Sequence, residues 1–269
     1  MVQPDIRGIA SMSIIKPNLP ILEGTLLARR KRFLADIRLA DGALITAMCA
    51  NTGSMKSCLE PGRRVIISDS ENENRKYRYT WEMIHMGDSW VNVNTGISNS
   101  CVERFIDVDA VAGLAGYSFI RREVKYGRDG RSRIDLLLSN EPPPKKRKRD
   151  PEPQPRCKPN GRPDCYVEVK NTSMRTGEHS VFPDSVTERG QKHLEELTHL
   201  VREQGLRAAM VYFCGRTDTG AFRPADEIDA RYGKLLREAV NAGVEVYPLQ
   251  VEFTPGQIRL LKQLPLDLD

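Results

Sequence analysis

The sequence changes its apolar rhythm once, and that change limits the folds open to it. Between residues 21 and 93 the apolar residues fall in six short runs, at 21–28, 33–39, 43–49, 64–68, 77–85 and 90–93, each closed by turn residues. Asp41-Gly42 is a strong hairpin signal, and Pro61-Gly62 and the turn at 87–89 punctuate the later runs. Five or six strands this short suit a small closed barrel. An OB-like barrel fits, being five-stranded and commonly a nucleic-acid binder. An SH3-like barrel fits the count almost as well.

Downstream the rhythm alternates. Residues 96–114 read as helical, and 118–126 and 132–139 as paired strands around a turn at 127–130. A third strand at 165–170 leads to a helix at 186–203, whose Leu194, Leu197 and Val201 form one buried stripe. A strand at 206–214, a helix at 226–241 and a strand at 244–251 complete a mixed α/β region with helices covering a central sheet. The expected class is α+β in two domains: an N-terminal extension at 1–20, an OB-like barrel at 21–95 and an α/β domain at 96–269, interrupted by a loop at 141–163.

That loop carries the charge. The chain holds 41 Lys and Arg against 36 Asp and Glu, a net +5, but 141–163 alone contains eight of the basic residues, three of the acidic ones and eight of the 17 prolines. Prolines deny backbone donors and disfavour helix and central strand. The remainder is net neutral, so the global charge belongs to one surface loop and says little about the folded surface. Its KKRKR run at 145–149 is read as a solvated basic loop near the mouth of a cleft, adding nonspecific affinity for DNA. The six cysteines show no zinc spacing, no stretch approaches the roughly 18 apolar residues of a membrane span, and the N-terminus lacks a signal-peptide layout. A cytoplasmic protein with free thiols and no membrane partner is expected.

The sharpest chemical signal is CYVEVKN at 165–171. Alternate side chains of a strand share a face, so Val167 and Val169 point one way and Tyr166, Glu168 and Lys170 the other. Burying a carboxylate and an ammonium together without a task is costly, which favours a cleft or ion site over a core position. Upstream, RIDLLL puts Asp135 in mid-strand, 33 residues before Glu168; without the 23-residue insert the separation is ten, a hairpin distance. Two carboxylates on adjacent strands suit Mg²⁺ or Mn²⁺, and Lys170 would orient the attacking water or neutralise the transition state. The bland alternative is a structural ion pair. EVK also occurs at 123–125, in a more polar strand, and Glu123 lies beside Asp135 as a candidate further ligand or as the partner of a neighbouring Arg. Arg189, Gln191 and His193, at the start of the next helix, are candidate supporting residues that would bind phosphate or position water.

In the barrel, basic and aromatic residues interleave. Arg29, Arg30, Lys31 and Arg32, then Arg75, Lys76 and Arg78, with Arg133 in the second domain, are candidate nucleic-acid contacts. Tyr77, Tyr79 and Trp81 share a face and serve equally well as barrel core. CANTGSM at 49–55 offers backbone amides and hydroxyls around Gly53 for an anion or a tight turn.

Taken together, RRKRFLADI, CANTGSM, RKYRYTWEM, EVKYG, SRIDLLL, RPDCYVEVKN, FPDSVTERGQKHLEEL and FRPADEIDARY, in order from about residue 25 to 250, resemble the sugar fermentation stimulation protein A (SfsA) family. The resemblance implies an N-terminal OB domain joined to a restriction-endonuclease-like, PD-(D/E)xK domain. It places Asp135, Glu168 and Lys170 on the nuclease-like motif, with Glu123 on the EVKYG phrase. It further implies DNA binding and a link to the regulation of sugar, especially maltose, metabolism. Ala50 stands where the family usually has Pro, NTSM replaces an SVTL-like continuation, and the insert is unusual. The function expected is a DNA-binding protein, RNA being the other polyanion to consider, with a metal-dependent phosphodiesterase centre at Asp135, Glu168 and Lys170. A non-catalytic DNA-binding regulator and a protein-interaction module stand as alternatives.

Overall fold

The turn-bounded segments of the N-terminal half close on themselves. The computed structural model describes residues 11–13, 19–128, 130, 132–145 and 151–269; most of the 1–20 extension and residues 146–149 of the basic run lie outside the described residues. After a short strand β1 (Ser11–Ser13) come β2 (Ile21–Arg30), β3 (Leu34–Leu39), β4 (Leu44–Cys49), β5 (Arg64–Asp69), β6 (Tyr79–His85) and β7 (Trp90–Asn92). Pairing runs β4-β3-β2-β5-β6, and a parallel contact of β4 with β6 joins the ends, so five strands form a closed barrel with β7 appended to β6. The OB reading is the one the barrel follows. Alternate residues point inward, as a period of two requires: Ala35 and Ile37, Ala47 and Cys49, Val65 and Ile67 meet in one core. Trp81 fills its centre and donates its indole N–H to the Met83 carbonyl at 3.0 Å. Of the three aromatics that share a face, Trp81 is therefore core.

The second half builds a seven-stranded sheet. Its elements are α1 (Ser98–Asp107), β8 (Phe119–Tyr126), β9 (Ser132–Ser139), β10 (Cys165–Thr172), β11 (Met174–Thr176), β12 (His179–Phe182), α2 (Glu188–Gln204), β13 (Arg207–Cys214), β14 (Ala221–Pro224), α3 (Ala230–Asn241), β15 (Glu245–Thr254) and β16 (Gln257–Gln263). The strand order is β1-β16-β15-β13-β10-β9-β8, with β10, β13 and β15 parallel; β11, β12 and β14 make a small separate sheet. One face packs α1 against Leu136, Leu138, Val167, Val169 and Val211. The other packs α2 and α3 against Ile134, Leu137, Met210 and Tyr212. Thr187 caps α2 by accepting from the Gly190 N–H, and Gly205 ends it in the left-handed conformation. Strands β11, β12 and β14 escape a sequence reading because three or four residues are too few to show alternation.

The later part of the insert, from Arg156 to Arg162, is anchored to the domain. Arg156 donates to the carbonyls of Ile106, at the end of α1, and Tyr117 and pairs with Asp107. Arg162 donates to the Gly113 carbonyl at 3.0 Å and lies over the Tyr117 ring. Both anchors lie on the α1 side of the sheet, so residues 156–162 are fastened away from the face that carries Lys170. A guanidinium at the carbonyl end of a helix satisfies orphan acceptors and opposes the dipole, which is what anchors Arg156 there. All six cysteines are free thiols, and five are buried. Among the described residues no helix is long and apolar enough to cross a membrane.

Candidate metal and nucleic-acid site

Strand β10 runs through the sheet interior with β9 on one side and β13 on the other. Its alternation sends Val167 and Val169 to the α1 face and turns Glu168 and Lys170 toward α2. Glu168 is only 3% exposed. Its Oε1 accepts from Lys170 Nζ at 2.6 Å and meets His193 Nδ1, while Lys170 Nζ lies 3.2 Å from that same ring nitrogen. Burial alone would raise the Glu168 carboxyl; the hydrogen bond with His193 and the Lys170 charge outweigh it and hold the group below its ordinary range. His193 is thus brought onto the site. Arg189, one turn earlier, reaches His193 Nε2 at 3.5 Å from an exposed position.

Asp135 comes from the neighbouring strand through a local fault in the sheet. Ile134 and Leu136 are two residues apart yet face opposite clusters, and so do Ile120 and Val124, four apart. The alternation slips in both strands at Asp135 and Glu123. Regular pairing of β9 with β10 ends at Leu136 opposite Val167, and beyond it the Asp135 carboxylate takes the place of a strand partner: Oδ2 accepts from the Val169 N–H at 2.8 Å. Its Oδ1 accepts from Asn99 Nδ2 of α1 at 2.8 Å. Burial and the nearby Glu168 charge push the Asp135 carboxyl up to about 6, against the pull of the Val169 amide and Lys170. Asn99 has no sequence signal beyond its place at the start of a helix; only the packing of α1 onto the sheet reveals it.

The residues present fit a hard divalent cation. Glu168 Oε2 is buried and has no hydrogen-bond partner among the described residues. Leaving a carboxylate oxygen so costs the desolvation of that atom with nothing in return, and a cation shared with Asp135 would satisfy it. Among the described residues no group of three or more His, Cys, Asp or Glu is arranged to hold a metal. The remaining positions around such an ion would fall to water, phosphate or backbone oxygens, as Mg²⁺ usually arranges.

The other candidates separate. Glu123 is exposed and adopts φ +54°, and among the described residues its side chain shows neither a hydrogen bond nor the alternative pair with an arginine. Gln191 is turned away, donating to both oxygens of Asp229, the N-cap of α3, so it ties α2 to α3. Arg29, half-buried, is spent on the carbonyls of Asn51 and Gly53 in the loop after β4, at 2.7 and 3.0 Å. Arg30 pairs with Asp36, and Arg78 is bidentate to Asp69 at 2.6 Å. Arg75 points at the Met48 sulfur and Lys76 covers the Tyr77 ring. Lys31 and Arg32, at the exposed tip between β2 and β3, and Arg133, opposite Lys125, keep their charges toward solvent.

The barrel is seated at the carboxyl ends of the parallel strands, where open α/β sheets bind ligands. Asn92 donates to Asn171, the residue after Lys170, at 3.0 Å, and its N–H to the Gly215 carbonyl at the end of β13. The anion that the CANTGSM loop receives is internal. The Asp184 carboxylate accepts from the Ser54 N–H at 2.6 Å, and a side chain at Gly53 would collide with it. A cleft of about 450 Å³ lies on the α1 face, but its arginines are already paired, Arg122 with Glu103 and Arg156 with Asp107.

Comparison with known proteins gives one result throughout. The family model described as the sugar fermentation stimulation protein RE domain matches residues 96–257, and that of the SfsA N-terminal OB domain matches 27–93. A sugar fermentation stimulation protein homolog of Geobacter metallireducens is 47% identical over 249 residues, covering 93% of this chain and 98% of the relative. Its Geobacter sulfurreducens counterpart is 45% identical over 247 residues, covering 92% and 96%. The solved structure of Pyrococcus furiosus SfsA in complex with Ca²⁺ is 26% identical and superposes with a TM-score of 0.78 over 95% of this chain and 98% of that one.

Proposed function

This chain belongs to the sugar fermentation stimulation protein family, and from the geometry of β9 and β10 we propose that it binds nucleic acid, DNA first, and hydrolyses phosphodiester bonds with Mg²⁺ or Mn²⁺ held by Asp135 and Glu168. The observation that carries the reading is the division of labour on one carboxylate: Glu168 Oε1 holds Lys170 and His193, while Oε2 is buried and has no partner among the described residues. That a relative of the same fold was solved in complex with Ca²⁺ supports a hard divalent cation.

A bound cation of this kind lowers the pKa of a coordinated water and stabilises charge developing on a phosphate. The chain's own groups do the rest. Asn99 and the Val169 N–H fix the Asp135 carboxylate, so no rotamer has to be ordered when ligand arrives. Lys170, fixed against Glu168 Oε1 beside His193, orients the attacking water and offsets the charge of the pentacovalent transition state. Lys31 and Arg32 at the barrel tip, with Arg133, meet phosphates away from the scissile bond. The regulation of sugar metabolism, maltose in particular, that goes with the family would run through this nucleic-acid contact.

The deciding experiment measures cleavage of single- and double-stranded DNA and RNA by wild type and Lys170→Ala, with and without Mg²⁺ or Mn²⁺. Metal-dependent cleavage lost in the variant is expected. Equal cleavage by both proteins, or no cleavage and no metal binding, overturns the catalytic reading. Salt-dependent DNA binding without cleavage, unchanged in Asp135→Ala, assigns the chain instead to a non-catalytic regulator. Association that is weak and independent of salt points to a protein-interaction module, because phosphate contacts release counterions.

A further inference from the structure

A second buried polar atom on the α2 face lacks a partner. Tyr126, the last residue of β8, is 6% exposed, and its hydroxyl makes no hydrogen bond among the described residues. Its ring is held at 5.8 Å from that of Tyr166 on β10 and packs with Ile134, Leu194 and Leu197. The turn that follows is clamped to α2: the Arg128 N–H donates to Glu196 Oε2 at 3.1 Å, and Gly127, at φ +87°, lets the backbone approach where a Cβ would stand 2.8 Å from that oxygen.

The hydroxyl sits in a buried, negatively charged environment. Burial raises its pKa most, and the charges of Glu168, Glu196 and Asp135 raise it further. These charges accord with the packing, which sets the ring beside Tyr166, two residues from Glu168 on the same face of β10, and in one cluster with Ile134 and Leu194, the sequence neighbours of Asp135 and His193. Tyr232 makes a useful contrast. Its phenol also feels Glu168, but it is satisfied by the Tyr212 hydroxyl at 2.6 Å. Of these two phenols, one has a partner in the protein and the other has none among the described residues.

A phenylalanine would fill the apolar space around residue 126 as well as tyrosine does. A buried hydroxyl without a partner costs stability and is tolerated where something outside the chain completes it. Two such atoms, Tyr126 Oη and Glu168 Oε2, occur on one face of one site. We propose that Tyr126 is a positioning residue of the cation site, its hydroxyl hydrogen-bonding a water that enters with the divalent ion. The inference rests on the metal reading above and adds a third arm to it, contributed by β8. The ion would be bound through Asp135 and Glu168, and the phenol would orient its hydration, the role outer partners commonly play around metals.

The test titrates Mg²⁺ into metal-free wild type, Tyr126→Phe and Tyr166→Phe, following heat and the tyrosine near-ultraviolet difference spectrum. Wild type and Tyr166→Phe are expected to bind with the same affinity and to show a tyrosine band on binding. Tyr126→Phe is expected to bind about tenfold more weakly and to lose the band, while its melting temperature in EDTA is unchanged or raised. A merely structural hydroxyl would instead lower that melting temperature. Binding by Tyr126→Phe with wild-type affinity and an unaltered band overturns the assignment and leaves the metal reading standing. No Mg²⁺ binding by wild type overturns the metal reading, and the role of Tyr126 falls with it.

Discussion

The tripeptide Glu-Val-Lys stands at 123–125 on β8 and again at 168–170 on β10, two strands of one sheet with β9 between them. The first copy lies on the sheet's edge. Glu123 and Lys125 are exposed, the backbone departs from regular strand at Glu123, and Lys125 stands opposite Arg133 with no carboxylate partner among the described residues. A charged, kinked edge is what keeps an open sheet from pairing with another chain. The second copy lies between two strands under α2, and there the same residues become a buried carboxylate bonded to lysine and histidine. The side chains are identical; burial and the arrival of His193 from another element separate them. Chemistry here belongs to the place in the sheet rather than to the triplet.

Substitution at the two lysines tests that contrast most severely. Lys170→Ala is expected to lower metal-dependent cleavage at least about 100-fold, the usual loss when a charge aimed at the transition state is removed; Lys125→Ala is expected to stay within about twofold of wild type by the same reasoning. Comparable losses from both, measured on one oligonucleotide substrate, would erase the distinction between the copies. A smaller effect is expected one step from the carboxylates. Asn99→Ala frees Asp135 Oδ1 and should weaken Mg²⁺ binding about tenfold, whereas Glu123→Ala should leave the titration unchanged. Should Glu123→Ala weaken binding as much as Asn99→Ala does, the edge copy belongs to the site after all.

The proton balance of the metal-free protein offers a third measure. Asp135 is pushed up to about 6 by burial and by Glu168, from 3.8 in the open chain. Between those two values the folded protein holds a proton that the unfolded chain has released. Its stability therefore falls as pH rises through that window. In EDTA, Asp135→Asn should flatten this part of the curve of melting temperature against pH, and Glu123→Gln should not. A window that survives in Asp135→Asn would place the burial strain elsewhere.

How much of this was readable beforehand depends on how far apart the interacting residues are. Strand β10 shows its two faces in CYVEVKN because alternation is local, and Asp135 comes within reach once the insert is discounted. The barrel is legible because its turns are spelled out by Asp41-Gly42 and Pro61-Gly62. Asn99, the orphaned hydroxyl of Tyr126 and the lodging of Asp184 against Ser54 are not, since each depends on how one element docks on another. The slip in alternation at Glu123 and Asp135 is hidden for a different reason: both strands change face at the same point, so neither shows a conspicuous break in its own sequence. The basic clusters of the barrel mislead most. Of the barrel's candidate phosphate contacts, Arg29 and Arg30 are consumed by internal acceptors, and Arg78 by Asp69.

The smallest expected effect concerns what the edge copy is still free to do. Each phosphate contact releases condensed counterions and contributes about 0.9 to the slope of log affinity against log salt on duplex DNA. Lys125 and Arg133 are neighbours across β8 and β9, exposed and without an ion pair among the described residues, as are Lys31 and Arg32 at the barrel tip. If the nucleic acid spans from the barrel tip past β10 to the sheet edge, the double variants Lys31→Ala/Arg32→Ala and Lys125→Ala/Arg133→Ala should each lower the slope by one to two and weaken binding a few-fold at moderate salt. Arg30→Ala and Arg78→Ala, whose charges are already met by Asp36 and Asp69, should change it by less. A slope that drops only in the barrel variant would confine the track to the region between the barrel and Lys170. The first Glu-Val-Lys would then serve the sheet edge alone, and the two copies would differ in every respect except their letters.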